Sequence, residues 1–84
     1  MTIVQLEKTV WEQDGVRIVV RDGSATKVSA YPHRNAAKEN WSVTQFLRNR
    51  ISPLVEHREV AVVEGSGKIA NGRKLLKTIR ESYN

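Results

Sequence analysis

Residues 3–21, IVQLEKTVWEQDGVRIVVR, decide how the fold is read, because two apolar runs flank Asp14-Gly15. The first, Ile3 to Gln13, is rich in Ile, Val, Thr and Trp, and the second, Val16 to Arg21, is largely β-branched. Asp-Gly supplies the positive φ values of a two-residue type I′ turn whose twist suits flanking strands, so the spacing predicts a β-hairpin. Its register sets Trp11 opposite Ile18, Glu12 opposite Arg17 and Val10 opposite Val19. One face then gathers Trp11, Val16, Ile18 and Val20 as core, and the other carries Lys8, Glu12, Arg17 and Arg21.

Beyond the hairpin, Asp22-Gly23-Ser24 marks a second turn, and Lys27 to Tyr31 alternates as a short third strand that Pro32 stops. His33 to Asn40 is polar and reads as a loop. A helix then starts at Ser42, with Gln45 completing a capping box and Trp41 and Phe46 at the positions of a hydrophobic staple. Val43, Phe46, Leu47 and Ile51 share one side of it, and Pro53 is expected to end it near Ile51. Glu59 to Glu64 is apolar on both alternating faces, the pattern of a strand with neighbours on each side. After Gly65-Ser66-Gly67, Asn71 is expected to cap a final helix from about Gly72 to Ser82, with Leu75, Leu76, Ile79 and Tyr83 on its buried stripe. The order βββαβα predicts an α+β domain: an antiparallel sheet of three to four strands with two helices packed on one face.

A chain of 84 residues has room for one domain, read as residues 1–84. It has no cysteine, so disulfides and thiolate chemistry are excluded and a domain of this size must rely on its core. The longest apolar run, Val60 to Val63, is too short to span a bilayer, and the N-terminus has neither a basic nor a hydrophobic leader region; a cytoplasmic protein is expected.

Charge carries the functional expectation. Fourteen cations face nine carboxylates, giving a formal net charge of +5. The excess is local: Lys68, Arg73, Lys74, Lys77 and Arg80 lie in the last seventeen residues beside one carboxylate, Glu81. On the expected last helix Arg73, Lys77 and Arg80 fall at i, i+4 and i+7, a row beside the apolar stripe. Such a row suits the phosphates of DNA or RNA; the bland alternative is a solvated helix face. A third possibility is docking on an acidic protein partner. Arg17, Arg21 and Lys27 form a smaller basic group on the outer sheet face.

Other constellations fall short. Gly65-Ser66-Gly67-Lys68 lacks the earlier glycine and the following Ser or Thr of a phosphate-binding loop, although its amides and Lys68 have the chemistry to meet one phosphate. His33 and His57 have no ligand spacing for a metal, and no nucleophile or carboxylate pair stands out. No catalytic residue, metal or cofactor is expected, and an enzyme is the least expected class. Trp11 and Trp41 read as core and staple residues rather than as base-stacking platforms.

Overall fold

Taken as a strand, residues 3–13 would bury either Gln5, Glu7 and Gln13 on one face or Lys8 and Glu12 on the other. Helical spacing avoids both, and a helix is what forms. In the computed structural model, which describes residues 1–23, 26–56 and 58–84, α1 (Ile3–Asp14) buries Ile3, Leu6, Val10 and Asp14. Thr2 Oγ1 accepts the Gln5 amide at 3.2 Å and Gln5 Oε1 accepts the Thr2 amide at 2.8 Å, a reciprocal capping box. Gly15 closes the helix in the left-handed region, φ 66°, and its N–H donates to the Trp11 carbonyl at 3.0 Å. The same Asp-Gly pair that suits a hairpin turn thus serves as a helix C-terminus.

The expected three- to four-stranded sheet is corrected with it. Only two strands form among the described residues, β1 (Arg17–Val20) and β2 (Val60–Val63), antiparallel with Ile18 opposite Val62 and Arg17 opposite Val63. The alternation within β1 is as expected: Ile18 and Val20 point inward, Arg17 and Val19 outward. Lys27 to Tyr31 contributes no strand; it is tied by a single bridge between Thr2 and Lys27 and by the Val28 N–H donating to the Met1 carbonyl at 2.8 Å. The mixed α+β class stands, with three helical runs and a two-stranded sheet among the described residues. On its far side β2 meets the chain returning through Ile69: the Glu64 N–H donates to Lys68 O at 2.9 Å and the Ala70 N–H to Val62 O at 2.8 Å. The return is a single bridge at one end of β2, so the strand with neighbours on each side that its apolar pattern predicts does not form, and β2 pairs along its length with β1 alone.

The middle helix, α2, spans 43–55 in three consecutive parts: α-helical Val43–Phe46, π-helical Leu47–Ile51 and α-helical Ser52–Val55. Its Ser42–Gln45 capping box is present as the sequence predicts. Pro53 does not end it. A proline ring collides with the carbonyl four residues back; here the widened turn, in which the Ser52 N–H reaches Leu47 O five residues back, moves the preceding carbonyls out of line before the proline arrives. The last helix, α3 (Leu76–Glu81), starts later than expected, because Asn71 Oδ1 accepts the Arg73 amide at 2.9 Å and holds 71–74 as a turn. The buried stripe shifts accordingly: Leu76 and Ile79 are fully buried, whereas Leu75 is 43 % exposed. Around Phe46 these residues join Leu6, Val10, Val16, Ile51, Val55 and Val62 in one core. Trp11, expected inside, is 39 % exposed on α1.

Candidate functional site

The expected row of Arg73, Lys77 and Arg80 is interrupted, because Arg73 lies before the helix that carries the other two. Arg80 is half-buried and structural: its Nε donates to the Asp14 carbonyl at 2.8 Å and its Nη2 to the Ala37 carbonyl at 2.7 Å, so it joins α3 to the end of α1 and to the loop before α2. Lys74 Nζ is paired with Glu64 Oε1 at 2.7 Å, and its carbonyl accepts the Val43 amide at the start of α2. Lys68, Arg73 and Lys77 remain exposed without a carboxylate partner among the described residues, but on three different segments. Lys68 follows the turn after β2, Arg73 stands in the 71–74 turn, and Lys77 opens α3 beside Glu39, whose carbonyl accepts its amide at 3.0 Å.

The Gly65-Ser66-Gly67-Lys68 turn is engaged internally. The Gly65 N–H donates to Ser82 Oγ, the Gly67 N–H to Glu64 O and the Lys68 N–H to Ser66 Oγ, so little of this backbone is left to cradle a phosphate. The first turn of α2 is likewise closed to anions, because Val43 and Thr44 give their amides to the carbonyls of Lys74 and Gly72. His33 lies edge-on to Tyr31, ring centroids 5.0 Å apart, and His57 falls outside the described residues. No group of three or more potential metal ligands occurs among the described residues, and no helix there is long and apolar enough to cross a membrane.

Two arginine sites that sequence reasoning missed have opposite characters. Asp14 is 2 % exposed, and its carboxylate receives the Arg50 Nη1 at 2.9 Å, the Ala37 amide at 2.7 Å and the Tyr31 hydroxyl. Arg50, carried by the π-helical turn, lies over the Trp41 ring at 5.4 Å and also donates to the Asn35 carbonyl. Its buried Nε has no partner among the described residues. Burial, reinforced by the bond to Asp14, pushes the Tyr31 hydroxyl well above its ordinary range, so it stays a donor. This cluster pins residues 31–37 against α1 and α2, with the carboxylate itself enclosed.

Past the α1–β1 connection, the Arg17 guanidinium lies 4.9 Å from the Trp11 ring centroid and 5.8 Å from that of Tyr83. The two rings meet edge to face, centroids 5.1 Å apart at 83°. The Tyr83 hydroxyl is inserted into the end of the sheet: it accepts the Arg17 amide at 2.9 Å and donates to the Val63 carbonyl. Burial raises the Tyr83 hydroxyl above its ordinary range and keeps this bridge protonated. The expected Glu12–Arg17 pair is absent, and no ion pair or hydrogen bond holds the Arg17 guanidinium among the described residues.

A groove of about 290 Å³ runs along the outer edge of β2, walled by Val43, Thr44 and Leu47 of α2 and by Ile69, Ala70 and Gly72, with Arg21 and Glu59 at the strand ends. Val62 and Glu64 turn their backbone groups toward the returning chain. By the alternation of an antiparallel ladder Val60 faces the same way, into the groove.

No family model, no curated protein and no solved structure matches the chain. Its functional reading therefore comes from its own geometry.

Proposed function

We propose that the protein is a small nucleic-acid-binding domain whose phosphate contacts come from cations left exposed by the fold, Lys68, Arg73 and Lys77 among them. What supports this is the division of labour among the fourteen cations. Arg21, Arg50, Arg58 and Lys74 are ion-paired, and Arg80 is bound to backbone carbonyls. The nine others are exposed and have no carboxylate within bridging distance among the described residues, so most of the positive excess faces solvent. Each phosphate they neutralise releases condensed counterions, the main source of sequence-independent affinity for nucleic acid.

Replacing Lys68, Arg73 and Lys77 together by alanine is expected to weaken binding to all sequences alike. It is also expected to flatten the slope of log affinity against log salt, by about 0.9 for each phosphate of duplex DNA that is no longer neutralised. Arg80 is left out of this variant because its removal would unfasten α3. Fluorescence-anisotropy titrations of one duplex and one single strand at two salt concentrations read both quantities. Absence of binding to either at about 0.1 M salt, with the fold intact, would overturn the reading.

The groove favours a second reading, docking of an acidic protein segment. An extended chain laid beside β2 would find the Val60 backbone, without a partner on that side among the described residues, and a largely apolar wall that also holds the Arg21–Glu59 pair, with Arg48, Lys68 and Arg73 next in sequence to the lining residues Leu47, Ile69 and Gly72. This reading takes first place if nucleic acid does not bind.

A further inference from the structure

We infer that the Trp11–Arg17–Tyr83 corner is a recognition site for single-stranded nucleic acid, in which a base stacks on the Trp11–Arg17 platform and the guanidinium edge meets the adjoining phosphate. Such a site rests on the nucleic-acid reading above and gives it a strand preference.

An exposed arginine ordinarily samples many rotamers, and ordering it on binding costs affinity. Arg17 is set against two rings. Its guanidinium lies against the Trp11 ring, its own amide is bonded to the Tyr83 hydroxyl, and that hydroxyl is bonded in turn to Val63, so platform and sheet form one unit. A guanidinium so placed has an aromatic-like outer plane on which a base can stack, and a fork of N–H donors matching phosphate oxygens. None of those donors has a partner among the described residues.

The surroundings fit a strand with unstacked bases better than a duplex. Val19 is 43 % exposed two residues along the outward face of β1, and Ile69 is 59 % exposed across the sheet, where Arg17, Val63 and Ile69 share one row. Apolar and aromatic groups beside a cation accept base faces, which a duplex keeps stacked within itself. Lys68, next to Ile69 and bonded through its carbonyl to Glu64, adds a cation at the same end of the sheet. The carboxylates nearest in the chain and ladder are Glu12, one residue from Trp11, Glu81, two residues from Tyr83, and Glu64, which Lys74 already neutralises. An acidic peptide would satisfy the guanidinium fork but has no planar group for the platform, and that difference is what the test reads.

The probes are a fluorescein-labelled mixed-sequence DNA strand of about 12 nucleotides, within the span that one small domain covers, its RNA equivalent, the corresponding duplex, and poly-L-glutamate as competitor. Wild type is expected to bind the single strands more tightly than the duplex. Trp11→Ala should weaken single-strand binding roughly tenfold while duplex binding changes less than about twofold. Arg17→Lys keeps the charge and loses the plane, so it should weaken single-strand binding with the salt slope retained. Trp11 is exposed, and circular dichroism of Trp11→Ala should match wild type. Equal losses on single strand and duplex, or competition by poly-L-glutamate as effective as that of unlabelled strand, would overturn the stacking corner. Single-strand binding unchanged in Trp11→Ala would overturn it while leaving the nucleic-acid reading standing, whereas no binding to any strand would overturn both.

Discussion

Arg50 and Arg17 are both arginines stacked on a tryptophan, and they do different work. Arg50 is largely buried, faces a fully enclosed carboxylate and reaches a backbone carbonyl, with its Nε unsatisfied among the described residues. Arg17 is exposed, holds no anion, and is kept in place by rings alone. Taking Arg50 and Asp14 out of water is costly, and their pairing, with the Ala37 amide and Tyr31 hydroxyl, offsets that cost; the result is a pin for residues 31–37. Arg17 incurs almost no desolvation and keeps its donors available. The chemistry of the side chain is the same, and burial with partner count separates a structural arginine from one available for a ligand.

The comparison breaks most visibly at the buried member. Arg50→Ala leaves the Asp14 carboxylate enclosed without its cation, and is expected to cost about 3–5 kcal/mol, read as a shifted midpoint in urea. A loss below about 1 kcal/mol, the range of exposed pairs, would show that the pin is not desolvated.

Next in size is a change at the edge of the Arg17 corner. A Cβ on Gly65 would lie 1.7 Å from the Ser82 carbonyl oxygen, on the backbone just before Tyr83. Gly65→Ala therefore has to displace the chain that carries the ring, at a cost of about 3 kcal/mol. The displacement should also shift the Arg17 amide resonance.

A finer probe is the Tyr83 hydroxyl. Tyr83→Phe leaves the Arg17 amide and Val63 carbonyl without their bridge, an expected loss of about 1 kcal/mol in thermal or urea unfolding. Its pH dependence has a definite sign. The folded values of Tyr83 and Tyr31 are raised, so each contributes stability that is fully present below the unfolded value of about 10 and is lost as pH rises through the folded value. Tyr83→Phe should flatten part of that alkaline decline. An unchanged alkaline limb would place the hydroxyl in solvent.

How much of this was legible in the sequence differs between the same regions. The Ser42–Gln45 box and the inward parity of Ile18 and Val20 follow from local chemistry and are found in the structure, whereas the second neighbour expected for Val60–Val63 is reduced to one bridge at its end. The opening helix was missed although Thr2 and Gln5 carry the same box, because β-branched residues and Asp-Gly together favour a hairpin by propensity. The absence of a charge-free strand face between Ile3 and Gln13 was the stronger signal. The basic row is interrupted for a related reason: Asn71 holds a turn rather than a helix cap, and Leu75 replaces it as the residue before α3, so Arg73 stands outside the helix that carries Lys77 and Arg80. Arg80 and Asp14 meet across sixty-six positions, and no local pattern encodes such a contact.

The division between structural and available arginines can be read from the arginine Nε–Hε resonances in a ¹⁵N–¹H spectrum during titration with the same short DNA strand. Arg17 is expected to shift progressively and saturate, while Arg50 and Arg80, held by Asp14 and by the Asp14 and Ala37 carbonyls, stay where they are. A stationary Arg17, or an Arg80 that moves with the strand, would contradict that division.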